Sequence, residues 1–290
     1  MTIEIGNAAG TCKTLEDVRK LARSAVDVIT LGSITIEYRE GNPGTNHYQD
    51  EAGTSINSLG LPNPGTPYYY DHLPTMRKLA EKEGKQLSVS LAVLQESDLE
   101  ALTKLLSQSL IKIVELNAGC PNVWSGSKQK RILSFDPTAL DATIGLLVRL
   151  APFAEEIRVK LSPYSDPGLL TEVASILRQH PITLVTSNTF ANAFMFQDSN
   201  FIPAIPFGKH LGGIAGTGMK PIVLGQVVQF RELLPQHRII AVGEVNSGRD
   251  MFEYERVGAN GVQIGTAYYF SENPRIFSDV LSQYADFLDR

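Results

Sequence analysis

Four asparagines, one thiol and one lysine attract notice because each lies at or just beyond the end of a short apolar run. The stretch Glu115-Leu116-Asn117-Ala118-Gly119-Cys120-Pro121-Asn122 carries two asparagines and the thiol, Val159-Lys160-Leu161 carries the lysine, and Asn57 and Asn188 complete the set. An amide side chain offers two donors and an acceptor. Gathered together, Asn57, Asn117, Asn122 and Asn188 suit a neutral, planar, polar heterocycle with amide or imide edges; taken singly, each equally suits a turn. Cys120 is a free thiol, and such a group titrates near about pH 8.5. The five histidines, His47, His72, His180, His210 and His237, fall in other segments. Cys120 therefore reads as a proton acceptor or donor rather than a histidine-activated nucleophile, whereas Cys12 reads as structural. Lys160 closes a run expected to be covered, and burying an ammonium is costly without an acceptor or anion. It reads as a cation beside an electron-rich ring, the plainer reading being a lysine that reaches solvent.

A second group of residues suits an anion. Gly212, Gly213, Gly243, Gly265 and Thr266 fall in three segments near the C-terminal end of the chain. Small residues let backbone N–H groups approach a phosphate closely. Each glycine alone is a plausible turn residue, and their joint placement is what suggests a phosphate-bearing ligand.

Eight runs of β-branched or apolar character must position these groups: residues 3–5, 26–31, 87–93, 112–116, 157–161, 182–186, 238–242 and 260–264. Several, such as VDVITL and RIIAV, barely alternate, as strands covered on both faces do. Helical stretches follow them, opened by Thr14 (with Asp17 three residues on), Ser97, Asp136, Asp166, Gly216 and Ser247, while Pro137 and Pro221 suit first helical turns. Eight β-α units in 290 residues predict an α/β protein, one (β/α)8 barrel spanning 1–290 as a single domain. A doubly wound sheet would carry its glycine fingerprint after the first strand, and GNAAGTCKT is a poor match. Two connections, residues 32–67 and 188–215, exceed the usual loop length. Both follow strand C-termini, where barrel enzymes build their sites. Pieces such as SITIEY and GTSIN predict hairpin insertions over that C-terminal mouth.

Composition removes other classes. With 43% hydrophobic and 20% charged residues and a net charge of −5, the chain has no electrostatic footprint for nucleic acid. It has no apolar run of membrane-spanning length and no signal-peptide pattern at its start. Two cysteines are too few for a disulfide framework or a four-cysteine metal site and fit a reducing, cytoplasmic setting; no metal is expected.

Together the motifs ITLGSITIEYREGNPG, SINSLGLPNPG, ELNAGCPNV, VKLSPYSD, GGIAG and VQIGTA resemble the dihydroorotate dehydrogenases, over essentially the whole chain. Cysteine in the ELN-x-x-CPN loop, without the N-terminal extension of the membrane-associated class 2, points to the soluble class 1 and its homodimeric branch. The resemblance implies an FMN-binding barrel that oxidises dihydroorotate to orotate in de novo pyrimidine biosynthesis, with fumarate as electron acceptor. It implies Cys120 as the base, and Asn57, Asn117, Asn122, Asn188 and Thr189 as pyrimidine contacts. Backbone groups of Leu59, Gly60 and Leu61 would meet the substrate carboxylate. Ala9, Gly10, Asn117 and Lys160 would face the flavin ring, and Gly213, Gly243, Gly265 and Thr266 its phosphate.

Three departures accompany the resemblance. Leu31 stands where the family carries a lysine after the second strand. Glu244 follows Gly243 where the family has a second glycine. Ala118-Gly119 is smaller than the usual pair before the cysteine, which predicts a looser loop. A paralogous FMN oxidoreductase acting on another pyrimidine-like substrate, or a barrel that binds ligand without turnover, is the alternative reading.

Overall fold

A computed structural model describes residues 3–125, 128–197 and 201–288. All eight expected runs form strands: β1 (Glu4–Asn7), β2 (Val28–Ile34), β5 (Gln86–Leu91), β6 (Ile113–Asn117), β9 (Glu156–Leu161), β10 (Thr183–Thr186), β13 (Ile239–Ala241) and β14 (Gly261–Ile264). They pair in parallel and close into a barrel in the order β1-β14-β13-β10-β9-β6-β5-β2. Every residue of β2 is buried, which explains why its sequence does not alternate. Helices wrap the outside: α1 (Leu15–Ala22), α2 (Thr66–Lys82), α3 (Asp98–Gln108), α4 (Pro137–Leu150), α5 (Pro167–Leu177), α6 (Lys220–Leu233), α7 (Gly248–Arg256), α8 (Thr266–Ser271) and α9 (Arg275–Leu288). Thr14–Asp17 and Ser247–Asp250 close reciprocal capping boxes, and Asp136 and Asp166 each cap an N–H three residues on. Ser97 precedes α3 without a side-chain cap. Gly216 differs from expectation: it precedes only a 3-10 turn, Thr217–Met219, and α6 starts at Lys220.

Period-two alternation splits each strand between two environments. Val89, Val114, Leu116, Val159 and Leu161 join the apolar layer beneath the helices. Their neighbours Ser88, Ser90, Glu115, Arg158 and Lys160 are buried polar residues. Gln263 Nε2 donates to Glu115 Oε2 at 3.1 Å from the far side of the barrel, so this set fills the interior. At the lower end Arg158, fully buried, pairs with Glu4 at 3.0 Å and Glu156 at 2.8 Å, and Arg238 joins Glu4 at 2.6 Å. Burial opposes the charge of Glu156, but Arg158 and its hydrogen bonds hold the carboxyl below its ordinary range.

Each of the two long connections forms an antiparallel strand pair, as expected, and the two pairs join edge to edge. β3 (His47–Gln49) and β4 (Thr54–Asn57) come from the first, and β11 (Phe190–Ala193) and β12 (Gly212–Gly216) from the second. They combine into one antiparallel sheet ordered β11-β12-β4-β3. GTSIN supplies β4, but in SITIEY only Ser33 and Ile34 lie in a strand, and they end barrel strand β2. A small pair, β7 (Trp124–Ser125) and β8 (Lys128–Gln129), follows β6. Residues 198–200 of the second connection lie outside the described residues.

Arg158→Met takes the buried partner from two carboxylates at the barrel base, leaving them the more exposed Arg238, and is expected to cost about 3 kcal/mol in urea unfolding. The Glu156 contribution is present above the unfolded carboxylate pKa and lost as pH falls through its lower folded pKa. Wild-type stability should therefore fall across that acidic window by more than the variant's does; equal acid sensitivity would refute the assignment.

Candidate active site

Parallel pairing sets Asn117, the last residue of β6, beside Lys160 of β9. Both line a large pocket at the C-terminal mouth, with about 1170 Å³ of empty space including its opening. Asn117 Nδ2 donates to Ser33 Oγ at 2.8 Å, and Ser33 Oγ meets Ser90 Oγ at 2.9 Å. Asn188 Nδ2 donates to Asn117 Oδ1 at 3.0 Å. Across the pocket, Asn122 Nδ2 reaches the Asn57 carbonyl at 2.9 Å and Asn57 Oδ1 at 3.0 Å. The four asparagines thus form two amide pairs, one on the barrel strands and one joining the β6 loop to the mouth sheet.

Cys120 lines the pocket between these pairs, partly buried. Burial pushes its thiol up; a backbone hydrogen bond at Asn122 and the charges of Arg39 and Lys160 pull the other way without prevailing. Lys160 is buried. Desolvation lowers it, against the opposing pulls of Glu115 and Cys120. It therefore does not reach solvent. The loop before Cys120 is pinned rather than loose. Ala118 N–H donates to the Lys160 carbonyl at 3.0 Å, and the Ala118 carbonyl accepts from Ser134 Oγ at 2.8 Å. A Cβ on Gly119 would stand 2.8 Å from the Leu161 backbone, so the small pair is a packing requirement.

Leu59, Gly60 and Leu61 line the pocket from the turn after β4, and Ala9 and Gly10 from the loop after β1. Gly243, Gly265 and Thr266 line it too, as does Thr189 next to Asn188. Gly213 does not line it: it pairs with Asn57 in the mouth sheet, where a Cβ would collide with Thr189 Oγ1. Ala215 and Gly216 take that place instead.

Leu31 proves not to be a vacancy. Its side chain is fully buried in the apolar layer under the helices, and Ser33 is the β2 residue that meets the pocket. The cation comes from elsewhere. Lys13, which sequence reasoning passed over, lines the pocket, and desolvation lowers its ammonium despite Asp17. Its loop is fastened to β2 by the Cys12–Gly32 bridge, and Cys12 faces the core. The missed signal was a lysine three residues past Gly10. His47 also lines the pocket, yet its Nδ1 meets Asn46 Oδ1 and its ring packs on Tyr269 and Phe270.

The residues suit a flavin nucleotide. A Cβ on Gly10 meets nothing within 4 Å and one on Gly265 only Ala8 at 3.5 Å, which leaves flat, side-chain-free walls. Ser187 Oγ and Thr189 Oγ1 are buried pocket atoms without hydrogen-bond partners, as expected of groups awaiting a ligand. Among the described residues no cluster of metal-binding side chains occurs and no helix is long and apolar enough to cross a membrane.

An eight-stranded parallel barrel with a thiol among amides, two desolvated lysines and a small-residue end defines a barrel enzyme for a planar substrate. The chain belongs to the dihydroorotate dehydrogenase family, whose sequence model, described as Dihydroorotate dehydrogenase, matches residues 3–288. Dihydroorotate dehydrogenase A (fumarate) of Lactococcus lactis is 35% identical over 289 residues, covering 98% of this chain and 90% of that protein. A putative dihydroorotate dehydrogenase A (fumarate) of Streptococcus uberis is 36% identical, covering 96% and 86%. The ferulenol complex of DHODH from Eimeria tenella shares the fold at TM-score 0.83 and 19% identity, over 98% of this chain and 81% of that one.

Installing lysine at the family's position tests this geometry. Leu31→Lys should bury an unpaired ammonium and destabilise the fold by on the order of 3–5 kcal/mol without raising activity. A gain in activity at unchanged thermal stability would show that position 31 faces the pocket.

Proposed function

We propose that the protein oxidises dihydroorotate to orotate on bound FMN, with fumarate as the final electron acceptor, as a cytoplasmic homodimer in pyrimidine biosynthesis. The observation that carries this reading is the placement of Cys120 between two asparagine pairs in a pocket with Lys13 and Lys160. Bound FMN would supply the hydride acceptor for the carbon that bears the substrate carboxylate. Ala9, Gly10, Asn117 and Lys160 would hold its ring, and Gly216, Gly243, Gly265 and Thr266 its phosphate.

The chain's own residues do the rest. Cys120 Sγ removes a proton from the ring methylene, and Arg39 and Lys160 favour the thiolate this requires. Asn117 and Asn188 each spend one Nδ2 hydrogen within the protein and keep another for the heterocycle. Asn57 Nδ2 makes a long 3.5 Å contact with the Gly213 carbonyl, while Asn122 Nδ2 is committed to Asn57 and fixes its place. Thr189 Oγ1 adds a hydroxyl with no protein partner. The turn at Gly60 (φ 75°) and Leu61 (φ 62°) offers backbone N–H groups to the carboxylate, the Gly60 carbonyl being held by Arg39 Nε at 3.1 Å.

Anaerobic mixing with dihydroorotate, but not dihydrouracil, should bleach the flavin; bleaching by neither, or by dihydrouracil alone, would overturn the substrate assignment. Cys120→Ala should slow bleaching by about 10²–10⁴-fold while orotate still binds, and an unchanged rate would refute the base. Because the active form is the thiolate and burial raises the thiol, the wild-type rate should climb about tenfold per pH unit through neutrality. A plateau already at pH 6 would contradict this.

A further inference from the structure

Glu244 lies where a ligand phosphate is expected. It lines the pocket between Gly243 and the Gly216 turn, half-buried, at φ 50°. A carboxylate there would repel a phosphate at short range. The hydrogen bonds around it suggest how the conflict is avoided. Thr217 Oγ1 lies 2.9 Å from the Ala52 carbonyl and 3.1 Å from Glu244 Oε1. The hydroxyl has one proton, and the carbonyl can only accept. That proton goes to Glu244 Oε1 when the carboxylate is ionised, or to the carbonyl when the carboxyl is neutral and its own O–H donates to Thr217 Oγ1. Asn246 Nδ2 donates to the same Glu244 oxygen at 2.9 Å, which keeps a lone pair to accept it in either state.

We infer that Glu244 makes phosphate binding in this pocket proton-coupled: the site accepts a phosphate monoester with Glu244 as the neutral acid and repels it when Glu244 ionises. The inference rests on the flavin-nucleotide reading above and adds a residue that sets when the phosphate is held.

The surrounding charges are consistent with this. From α6, Lys220 is the nearest cation, but it is engaged by Asp250 and by Glu253 of α7, the latter at 2.6 Å. Asp250 adds negative charge toward Glu244. Burial raises the Glu244 pKa, Thr217 and Asn246 hydrogen bonds and Lys220 oppose, and the net shift is upward. The turn after β12 brings the Thr217 hydroxyl, α7 the Tyr254 hydroxyl, which donates to the Gly243 carbonyl, and α8 Thr266 and Tyr269. Lys13, His47 and Lys160 line other parts of the pocket. The sign follows: below the free-protein pKa of Glu244 phosphate binds without penalty, and above it each bound phosphate must bring a proton, so affinity falls as pH rises.

The test uses apoprotein titrated with FMN and with riboflavin, followed by flavin fluorescence from pH 5.5 to 8.5. Riboflavin lacks the phosphate and reports the ring site alone. In wild type the preference for FMN over riboflavin should fall by about tenfold or more across the range. Glu244→Gln, which keeps the shape, and Glu244→Gly, which removes the carboxyl, should hold or increase that preference as the phosphate ionises. Calorimetry in buffers of different ionisation enthalpy should show about one proton taken up with FMN by wild type, and less by Glu244→Gln. A wild-type preference that tracks both variants, with no excess proton uptake, overturns the inference while leaving flavin binding intact. Failure to bind either flavin overturns the inference together with the reading on which it rests.

Discussion

The structure depends on how polar side chains are satisfied inside a barrel that excludes water. Each parallel strand sends alternate residues into a narrow interior, and any polar group there needs a partner. The base is closed by Arg158, whose fork meets Glu4 and Glu156. Midway, Gln263 takes one oxygen of Glu115. Toward the mouth, Ser187 Oγ and Thr189 Oγ1 are buried without a hydrogen-bond partner. Glu156 Oε1 and Arg158 Nε at the base also lack one, so what sets the mouth apart is that its unpartnered hydroxyls belong to residues lining a pocket.

The mouth sheet converts that opening into a defined cavity. β4 and β12 lie more than half the chain apart in sequence, yet pair residue for residue, with Ser55 opposite Ala215 and Asn57 opposite Gly213. Ile56, Ala204 and Ile205 form a small apolar cluster of their own behind this sheet. That cluster lets Asn57 hold a fixed position against Asn122, although neither belongs to the barrel wall.

The strand and cap pattern was legible in the sequence because it rests on local rules. Apolar runs gave all eight barrel strands, and Thr14, Asp136, Asp166 and Ser247 bond the helix starts they were expected to cap. Which way a residue faces at the top of a strand was not legible. β2 reads VITLGSI, buried throughout, and its pairing with β5 shifts register between Leu31 and Ile34. Gly32 sits there at φ 113°. The family motif points to Leu31 as a pocket position, yet Ser33 is the β2 residue that lines the pocket. Counting by twos across such an irregularity inverts the facing, so alternation could not have corrected it. Gly213 was misplaced for a related reason: a glycine demanded by a close neighbour and one that admits a ligand look alike in a sequence. Lys13 was missed because its placement depends on the Cys12–Gly32 bridge, a long-range pairing that no local pattern announces.

The opposed shifts of Cys120 and Lys160 follow from the same water exclusion. Desolvation penalises each charged form, holding the thiol high and the ammonium low. Each charge also favours the other: the lysine pulls the thiol down, and the thiolate would pull the lysine up. Ionising Cys120 becomes easier when Lys160 is already charged, and Glu115 below supports that charge. Glu115 thus acts on the thiol through the lysine, without approaching the substrate. The interior column that stabilises the barrel is in this way continuous with the group that takes the proton.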